Sequence, residues 1–175
     1  MSEHESVFHV RFNTKTVVLM GLLTALEIVL SRFLSFSVWN MKIGLSFLPV
    51  AAAAILLGPV QAGLVGGLAD LIGALLFPIG AYFPGFTLTA FLMGFVFGIF
   101  LRQRQTFVRI LCAVGINQLV FSLLLNTFWI SLFYGAPFIG LLPARALQTL
   151  ILVPVQLFTL LALSKALLHL PAPTA

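Results

Sequence analysis

The sequence has very little charge, with four acidic and nine basic side chains among 175 residues, or 7%. A soluble domain carries about 25% charged residues, because it needs a polar surface facing water. Here 61% of the residues are hydrophobic and the mean hydropathy is +1.18. The scarcity of charge excludes a soluble globular fold and predicts an integral membrane protein.

Motifs for catalysis and for metal or nucleotide binding are also missing. The sequence contains no GxxxxGK[ST] phosphate loop, no HExxH and no clustered Cys/His pattern. Its three histidines, His4, His9 and His169, lie away from any serine that could act as a nucleophile. Cys112 is the only cysteine, so no internal disulfide can form. We therefore expect no enzyme, no cofactor and no metal, and no ATP hydrolysis by a phosphate loop in this chain.

Apolar runs separated by polar residues, proline or glycine predict six transmembrane helices. The predicted spans are residues 15–32, 43–57, 60–77, 85–101, 108–130 and 145–168. The second run is short and contains Pro49, and broken segments of this kind often lie beside transport sites. The expected fold is an all-α six-helix membrane bundle over residues 15–168, with terminal segments 1–14 and 169–175 outside it.

The basic residues predict the orientation of this bundle. With six spans both termini lie on one side, and that side would hold six of the nine bases, namely Arg11, Lys15, Arg102, Arg104, Arg109 and Lys165. Cytoplasmic loops are enriched in Lys and Arg, so both termini are predicted to be cytoplasmic. The bases form no run or stripe of the kind that nucleic-acid binding needs. The other three, Arg32, Lys42 and Arg145, are expected on the outer side.

Polar residues inside the predicted spans mark a candidate site, because they are costly in hydrocarbon and usually face the bundle interior. Glu27 and Asp70 are predicted ~7–11 Å below the outer surface. One face of the fifth span carries the polar residues Gln118, Ser122 and Asn126 together with Trp129, and one stripe of the sixth carries Arg145, Gln148, Thr149, Gln156 and Thr159. A structural pair with a neighbouring arginine or amide is the alternative explanation for both carboxylates.

Three aromatic-rich connections are predicted on the outer side, at residues 33–42, 78–85 and 131–143. Trp39 and Tyr134 could be ordinary interfacial residues, but we favour a lid over a pocket. The three outer bases beside these loops suit an anionic solute, since arginine binds carboxylates bidentately. The aromatic residues favour a guest that also has a flat ring.

Several stretches resemble a known family. Four stretches occur in this order: KIGLSFLPVAAAAILLGPVQAGLVGGLADLIG, FPGFTLTAFLMGFVFG, LNTFWIS and PARALQ. They resemble the S component, the substrate-binding subunit, of energy-coupling-factor (ECF) vitamin transporters, and the folate-specific branch most closely. The resemblance implies a six-helix protein of the bacterial plasma membrane that binds a vitamin with high affinity near the outer face. Its partners would be a membrane scaffold subunit and two ATP-binding-cassette ATPases.

The family docks on its scaffold through an AxxxA motif on the first helix, and the resemblance implies this role for Gly21 and Ala25. Glycine departs from the motif, but it is also small. For a folate, we expect the bases to bind the carboxylates, Asp70 or Asn126 to pair with the amino-pyrimidine edge, and aromatic rings to stack on the pterin. The expected substrate-binding residues are Arg32, Trp39, Lys42, Phe47, Asp70, Phe86, Thr87, Asn126, Trp129, Arg145 and Gln148.

Two alternatives remain open on the sequence. One is an S component or small carrier for a different anionic vitamin, which would keep the outer bases and change the ring recognition. The other is a membrane enzyme or assembly factor whose polar interior is only structural. Ligand binding separates these alternatives from a folate-binding subunit.

Overall fold

Six helices and one short hairpin make up the part of the chain that the computed structural model describes, residues 13–38, 41–78 and 81–168. The helices are α1 (Thr14–Arg32), α2 (Phe47–Leu56), α3 (Pro59–Leu76), α4 (Pro84–Leu101), α5 (Phe107–Tyr134) and α6 (Phe138–Leu168). Strands β1 (Phe36–Val38) and β2 (Met41–Ile43) pair antiparallel between α1 and α2. The predicted count of six helices is confirmed.

Five of these helices are long and apolar enough to cross a membrane, and α2 is the exception. Its ten residues extend only ~15 Å, about half of a ~30 Å hydrocarbon core. The predicted second span, residues 43–57, is therefore wrong at its start, because residues 41–43 belong to β2. Pro49 lies in the first turn of α2. Backbone N–H groups in the first turn have no hydrogen-bond acceptor within the helix, so a proline there does not interrupt it.

The predicted outer loop at residues 131–143 is also wrong, because most of it is helical. Helix α5 continues to Tyr134, and α6 begins at Phe138, before the predicted start at residue 145. Only residues 135–137 separate them, and Gly135 ends α5 in the left-handed conformation with φ 66°. The prolines in this stretch suggested a loop, but membrane helices tolerate proline, and Pro143 lies inside α6.

An apolar core fills the half of the bundle that lies away from the hairpin. Alanines of α2 and α3 pack there against large buried side chains of α4, α5 and α6, such as Leu101, Ile110 and Leu160. At the edge of this core, the Arg102 guanidinium donates a 2.7 Å hydrogen bond to the Leu56 carbonyl at the end of α2. A cation is favourable at a helix C-terminus. Burial lowers the pKa of Arg102 from its usual value.

Helices α3 and α4 approach each other to backbone contact. A Cβ atom at Gly94 would lie 2.3 Å from the Ala62 carbonyl oxygen, and one at Gly98 would lie 2.1 Å from Pro59 Cα. Small residues permit such approaches between membrane helices. These two glycines therefore set the spacing of α3 and α4, which form one wall of the bundle.

Substituting Gly98 tests this close contact. We expect Gly98→Ala to lower the melting temperature of the detergent-solubilised protein, since the added methyl group overlaps the α3 backbone and overpacking costs ~1–3 kcal/mol. Gly115→Ala is the matched control, because among the described residues nothing beyond the local helix backbone lies within 4 Å of the new Cβ position. It should melt at the same temperature or slightly higher, because alanine favours helix. Equal melting temperatures for the two variants would contradict the proposed contact.

Candidate binding site

A cavity of about 720 Å³ lies in the half of the bundle nearest the hairpin. Ligand sites in proteins typically enclose ~300–1,000 Å³. All six helices contribute to its lining, and the lining combines apolar and aromatic residues with four ionisable groups on α1, α3 and α6: Glu27, Arg32, Asp70 and Arg145. The short α2 leaves room for this space, because it does not fill the full depth of the bundle.

The structure brings most of the predicted site residues together. Seven of them line the cavity: Arg32, Phe47, Asp70, Phe86, Asn126, Arg145 and Gln148. Thr87 and Trp129 contact residues of the cavity wall but do not line it. Trp39 lies outside the described residues, and Lys42 lies in β2 with its side chain outside the described part.

Asp70 on α3 is held by the start of α4. The Thr87 hydroxyl donates a 2.8 Å hydrogen bond to Asp70 Oδ2 and lies 3.3 Å from the Tyr82 hydroxyl oxygen. Among the described side chains, the hydrogen-bond partner of Asp70 is therefore a hydroxyl and not an arginine or an amide. The carboxylate keeps its second oxygen for another donor, and Thr87 fixes its orientation.

Trp129 supports the wall from behind. Its indole Nε1 donates a 3.1 Å hydrogen bond to Thr89 Oγ1, and its ring centroid lies 5.5 Å from that of Phe83. Both Phe83 and Thr89 line the cavity. The prediction that Trp129 shares the cavity face of α5 is thus wrong, and the residue on that face is Ile130.

A π-helical segment explains which residues of α5 face the cavity. The helix is α-helical over Phe107–Gly115, π-helical over Ile116–Leu125 and α-helical again over Asn126–Tyr134. A π-helix bonds i to i+5 and has a wider turn than the 3.6 residues of an α-helix, so residues four apart stay better aligned. Every fourth residue lines the cavity: Gln118, Ser122, Asn126, Ile130 and Tyr134.

Two arginines reach the cavity from different helices. Arg145 of α6 is 9% exposed, and its Nη1 donates a 3.1 Å hydrogen bond to the Ser122 carbonyl. The Arg32 guanidinium of α1 crosses α3 at Gly73, where an added Cβ would lie 2.8 Å from Arg32 Nε. That buried Nε has no hydrogen-bond partner among the described residues. The pair provides fixed, planar donors for an anionic group.

Buried amides form the other polar part of the lining. Asn117, Gln118, Asn126 and Gln156 each have a buried side-chain oxygen with no hydrogen-bond partner among the described residues, and all four line the cavity. Buried polar atoms are normally paired. These oxygens therefore fit a guest with N–H or O–H donors.

Sequence reasoning missed several residues of the lining. Asn117 is adjacent to Gln118, and neighbours on a helix do not face the same direction, yet both line the cavity. Tyr82 and Phe83 lie in the aromatic-rich connection predicted at residues 78–85 but were not predicted as binding residues, and Thr89 lies in the apolar first half of α4. The only available signal was that Asn117 is an amide inside a hydrophobic run. No group of three His, Cys, Asp or Glu side chains suited to a metal occurs within the described ranges.

Apolar helices of membrane-crossing length around a cavity lined by arginines and amides define a multi-pass membrane protein that binds a polar solute. A sequence model of the family described as "ECF transporter, substrate-specific component" matches residues 15–165. The chain belongs to this family. It is accordingly a transport component of the bacterial plasma membrane and not an enzyme.

Similar proteins with individual names indicate a branch within this family. The chain is 38% identical over 141 residues to a folate transporter FolT of Clostridium novyi (strain NT), covering 80% of this chain and 82% of the relative. It is 29% identical over 153 residues to FolT of Leuconostoc mesenteroides subsp. mesenteroides, covering 83% and 82%. The crystal structure of FolT bound with folic acid matches with a TM-score of 0.84 and 34% identity, covering 88% of this chain and 95% of that one.

Proposed function

We propose that this chain is the high-affinity binding subunit for folate or reduced folates in an ECF transporter, the activity that the names of its FolT relatives indicate. The observation that carries the proposal is one cavity that contains both two arginines and a set of amides whose buried oxygens have no hydrogen-bond partner among the described residues. The glutamate tail of folate supplies carboxylates for the arginines, and its pterin supplies N–H donors for amide oxygens. A different anionic vitamin would use the arginines but need a different arrangement of donors.

Within this proposal the predicted residues take distinct roles. Arg32 and Arg145, with Lys42 of the hairpin, bind carboxylates. Phe47 and Phe86 flank the ring system, while Thr87 and Trp129 hold the wall in place. The remaining proposed site residues are Trp39, which lies outside the described residues, and the hydrogen-bonding Asp70, Asn126 and Gln148.

The charge distribution supports a proposed orientation with both termini in the cytoplasm. The hairpin end of the cavity would then face outward, and segments 1–14 and 169–175 would lie on the cytoplasmic side. The proposed partners are a membrane scaffold subunit and two ABC ATPases. Gly21 and Ala25 support docking through α1, since both are exposed and, within the described part of the chain, nothing beyond the local helix backbone lies within 4 Å of a Cβ added at Gly21.

Fluorescence titration tests the proposed ligand. We expect folic acid to quench the tryptophan emission of the detergent-purified protein, because Trp129 lies directly behind Phe83 in the cavity wall. The sequence has two tryptophans, so Trp39→Phe isolates the signal of Trp129. Thiamine and biotin serve as vitamin controls and should leave the emission unchanged. No quenching by folic or reduced folates, together with binding of another vitamin, would refute the folate assignment.

A further inference from the structure

Gly73 of α3 is buried beneath the side chain of Arg32 from α1. A Cβ atom added at Gly73 would lie 2.8 Å from Arg32 Nε, 3.3 Å from Nη2 and 3.5 Å from Cζ. The three nearest atoms therefore belong to one guanidinium group, whose Nε–Nη2 edge faces Gly73. Atoms in contact prefer separations of ~3.5–4.0 Å, so a side chain at this position would displace the guanidinium.

The other buried glycines of α3 have different neighbours. Cβ atoms added at Gly63, Gly66 and Gly67 would first meet atoms of α4, at Phe91 or Ala90. These three glycines belong to the close packing of α3 against α4, which small residues permit between membrane helices. The nearest neighbour of Gly73 is instead a charged side chain of α1, so packing against α4 does not account for this glycine.

The end of α1 is anchored beside Gly73. Arg32 lies in the last turn of α1, and the next residue, Phe33, packs edge-to-face on Phe77 with ring centroids 5.2 Å apart. Phe77 follows Gly73 by one turn and lies on the same side of α3. The guanidinium is the far end of a flexible side chain, whereas the two helix ends are packed together. An added methyl group at Gly73 would therefore move the guanidinium and not the helices.

Arg32 reaches the cavity across Gly73. It lines the cavity together with Asp70 and Ala74, which precede and follow Gly73 in α3. The buried Nε of Arg32 has no hydrogen-bond partner within the described part of the chain. No such bond to Nε fixes the guanidinium, so its orientation depends on the shape of the surface beneath it. At Gly73 that surface is bare backbone.

We propose that Gly73 is a positioning residue of the binding site: its missing side chain leaves the space in which the Arg32 guanidinium lies and fixes the direction from which that group meets the ligand. The inference rests on the proposed function, in which Arg32 binds a carboxylate. Bidentate binding of a carboxylate needs the planar fork in one orientation. A guanidinium displaced by a methyl group loses part of this contact, so Gly73 acts on ligand affinity through Arg32.

A double-mutant cycle between Gly73→Ala and Arg32→Ala tests this role. We expect Gly73→Ala to weaken folic acid binding about tenfold, the effect of one lost charge-assisted hydrogen bond. Arg32→Ala removes all three atoms that the new methyl group would meet. In that background, Gly73→Ala should change the affinity by less than about twofold. Isothermal titration of all four proteins, directly or by competition, measures the difference.

Melting temperatures and a matched glycine separate positioning from packing. Gly73→Ala should melt at about the same temperature as the unsubstituted protein, because the methyl group meets only a flexible side-chain end and alanine favours helix. Gly67→Ala is the control on the same helix. Its Cβ would lie 3.3 Å from Phe91 Cβ of α4 and away from Arg32, so its affinity for folic acid should stay within about twofold of the unsubstituted value.

Unchanged folic acid affinity in Gly73→Ala would overturn the role of Gly73. A loss that persists in the Arg32→Ala background, or that Gly67→Ala shares, would overturn it too, since the effect would then lie in helix packing. Each of these results leaves the proposed function intact. Failure of the unsubstituted protein to bind folic acid would instead refute the proposed function, and this role of Gly73 with it.

Discussion

Arg145→Gln is expected to weaken folate binding about 100-fold, because it removes a charge-assisted contact from a buried site. Arg145 lines the cavity and is 9% exposed, so its charge is shielded from water. The Ser122 carbonyl holds the guanidinium in position through Nη1. Losing one partner of a buried ion pair leaves the ligand carboxylate uncompensated, which costs more than the hydrogen bond alone. Isothermal titration with folic acid measures the effect.

Two further substitutions make this measurement specific. Arg145→Lys keeps the charge but loses the planar fork, and we expect an intermediate loss of about tenfold. Arg104→Gln makes the same chemical change at an exposed position between α4 and α5, and the dissociation constant should stay within about twofold. Folate binding by folded Arg145→Gln that is as tight as in the unsubstituted protein would exclude a role for this residue at the site.

Leucine at Gly21 or Ala25 is expected to reduce ATP-driven folate uptake at least about tenfold and to leave folate affinity unchanged. The added side chain would prevent close approach of a partner helix to α1, since small residues permit such contacts. Both positions are exposed, whereas Glu27 and Arg32 of the same helix line the cavity. The measurement is uptake into proteoliposomes that contain the scaffold and ATPase subunits, beside titration of the same purified variants.

Ala162→Leu is the control for these docking variants. Ala162 is also exposed, but it lies on α6, so leucine there should leave both uptake and affinity unchanged. Loss of folate binding in Gly21→Leu with intact folding would show that the two faces of α1 are not separate. Uptake at the full rate without the ATPase subunits would contradict the proposed coupling.

The long helices could be predicted from sequence because each needs only a run of apolar residues, and such runs are visible directly. The buried polar residues could also be found, since charge and amides in hydrocarbon are rare. Asp70, Asn126 and Arg145 were placed in a common site on this basis alone, and all three line one cavity. The predicted loop at residues 131–143 was wrong, because glycine and proline mark loops more reliably in soluble proteins than in membrane proteins.

Other features could not be predicted from periodicity. A π-helix is built from the same residue types as an α-helix, so nothing in the sequence distinguishes the two, and the α-helical period assigned Trp129 to the cavity face where Ile130 lies. The shortness of α2 depends on the β-hairpin that uses residues 41–43. Both features are patterns of backbone hydrogen bonding, which the spacing of apolar residues does not reveal.

The backbone contact of α3 with α4 has a mechanical consequence for the cavity. Helices that touch at Gly94 and Gly98 cannot move closer, and close-packed interiors have low compressibility. The wall that carries Asp70 is therefore a stiff frame. The two arginines that line the cavity lie on other helices, Arg32 on α1 and Arg145 on α6. The side chains proposed to hold the ligand carboxylates thus lie on helices outside this frame.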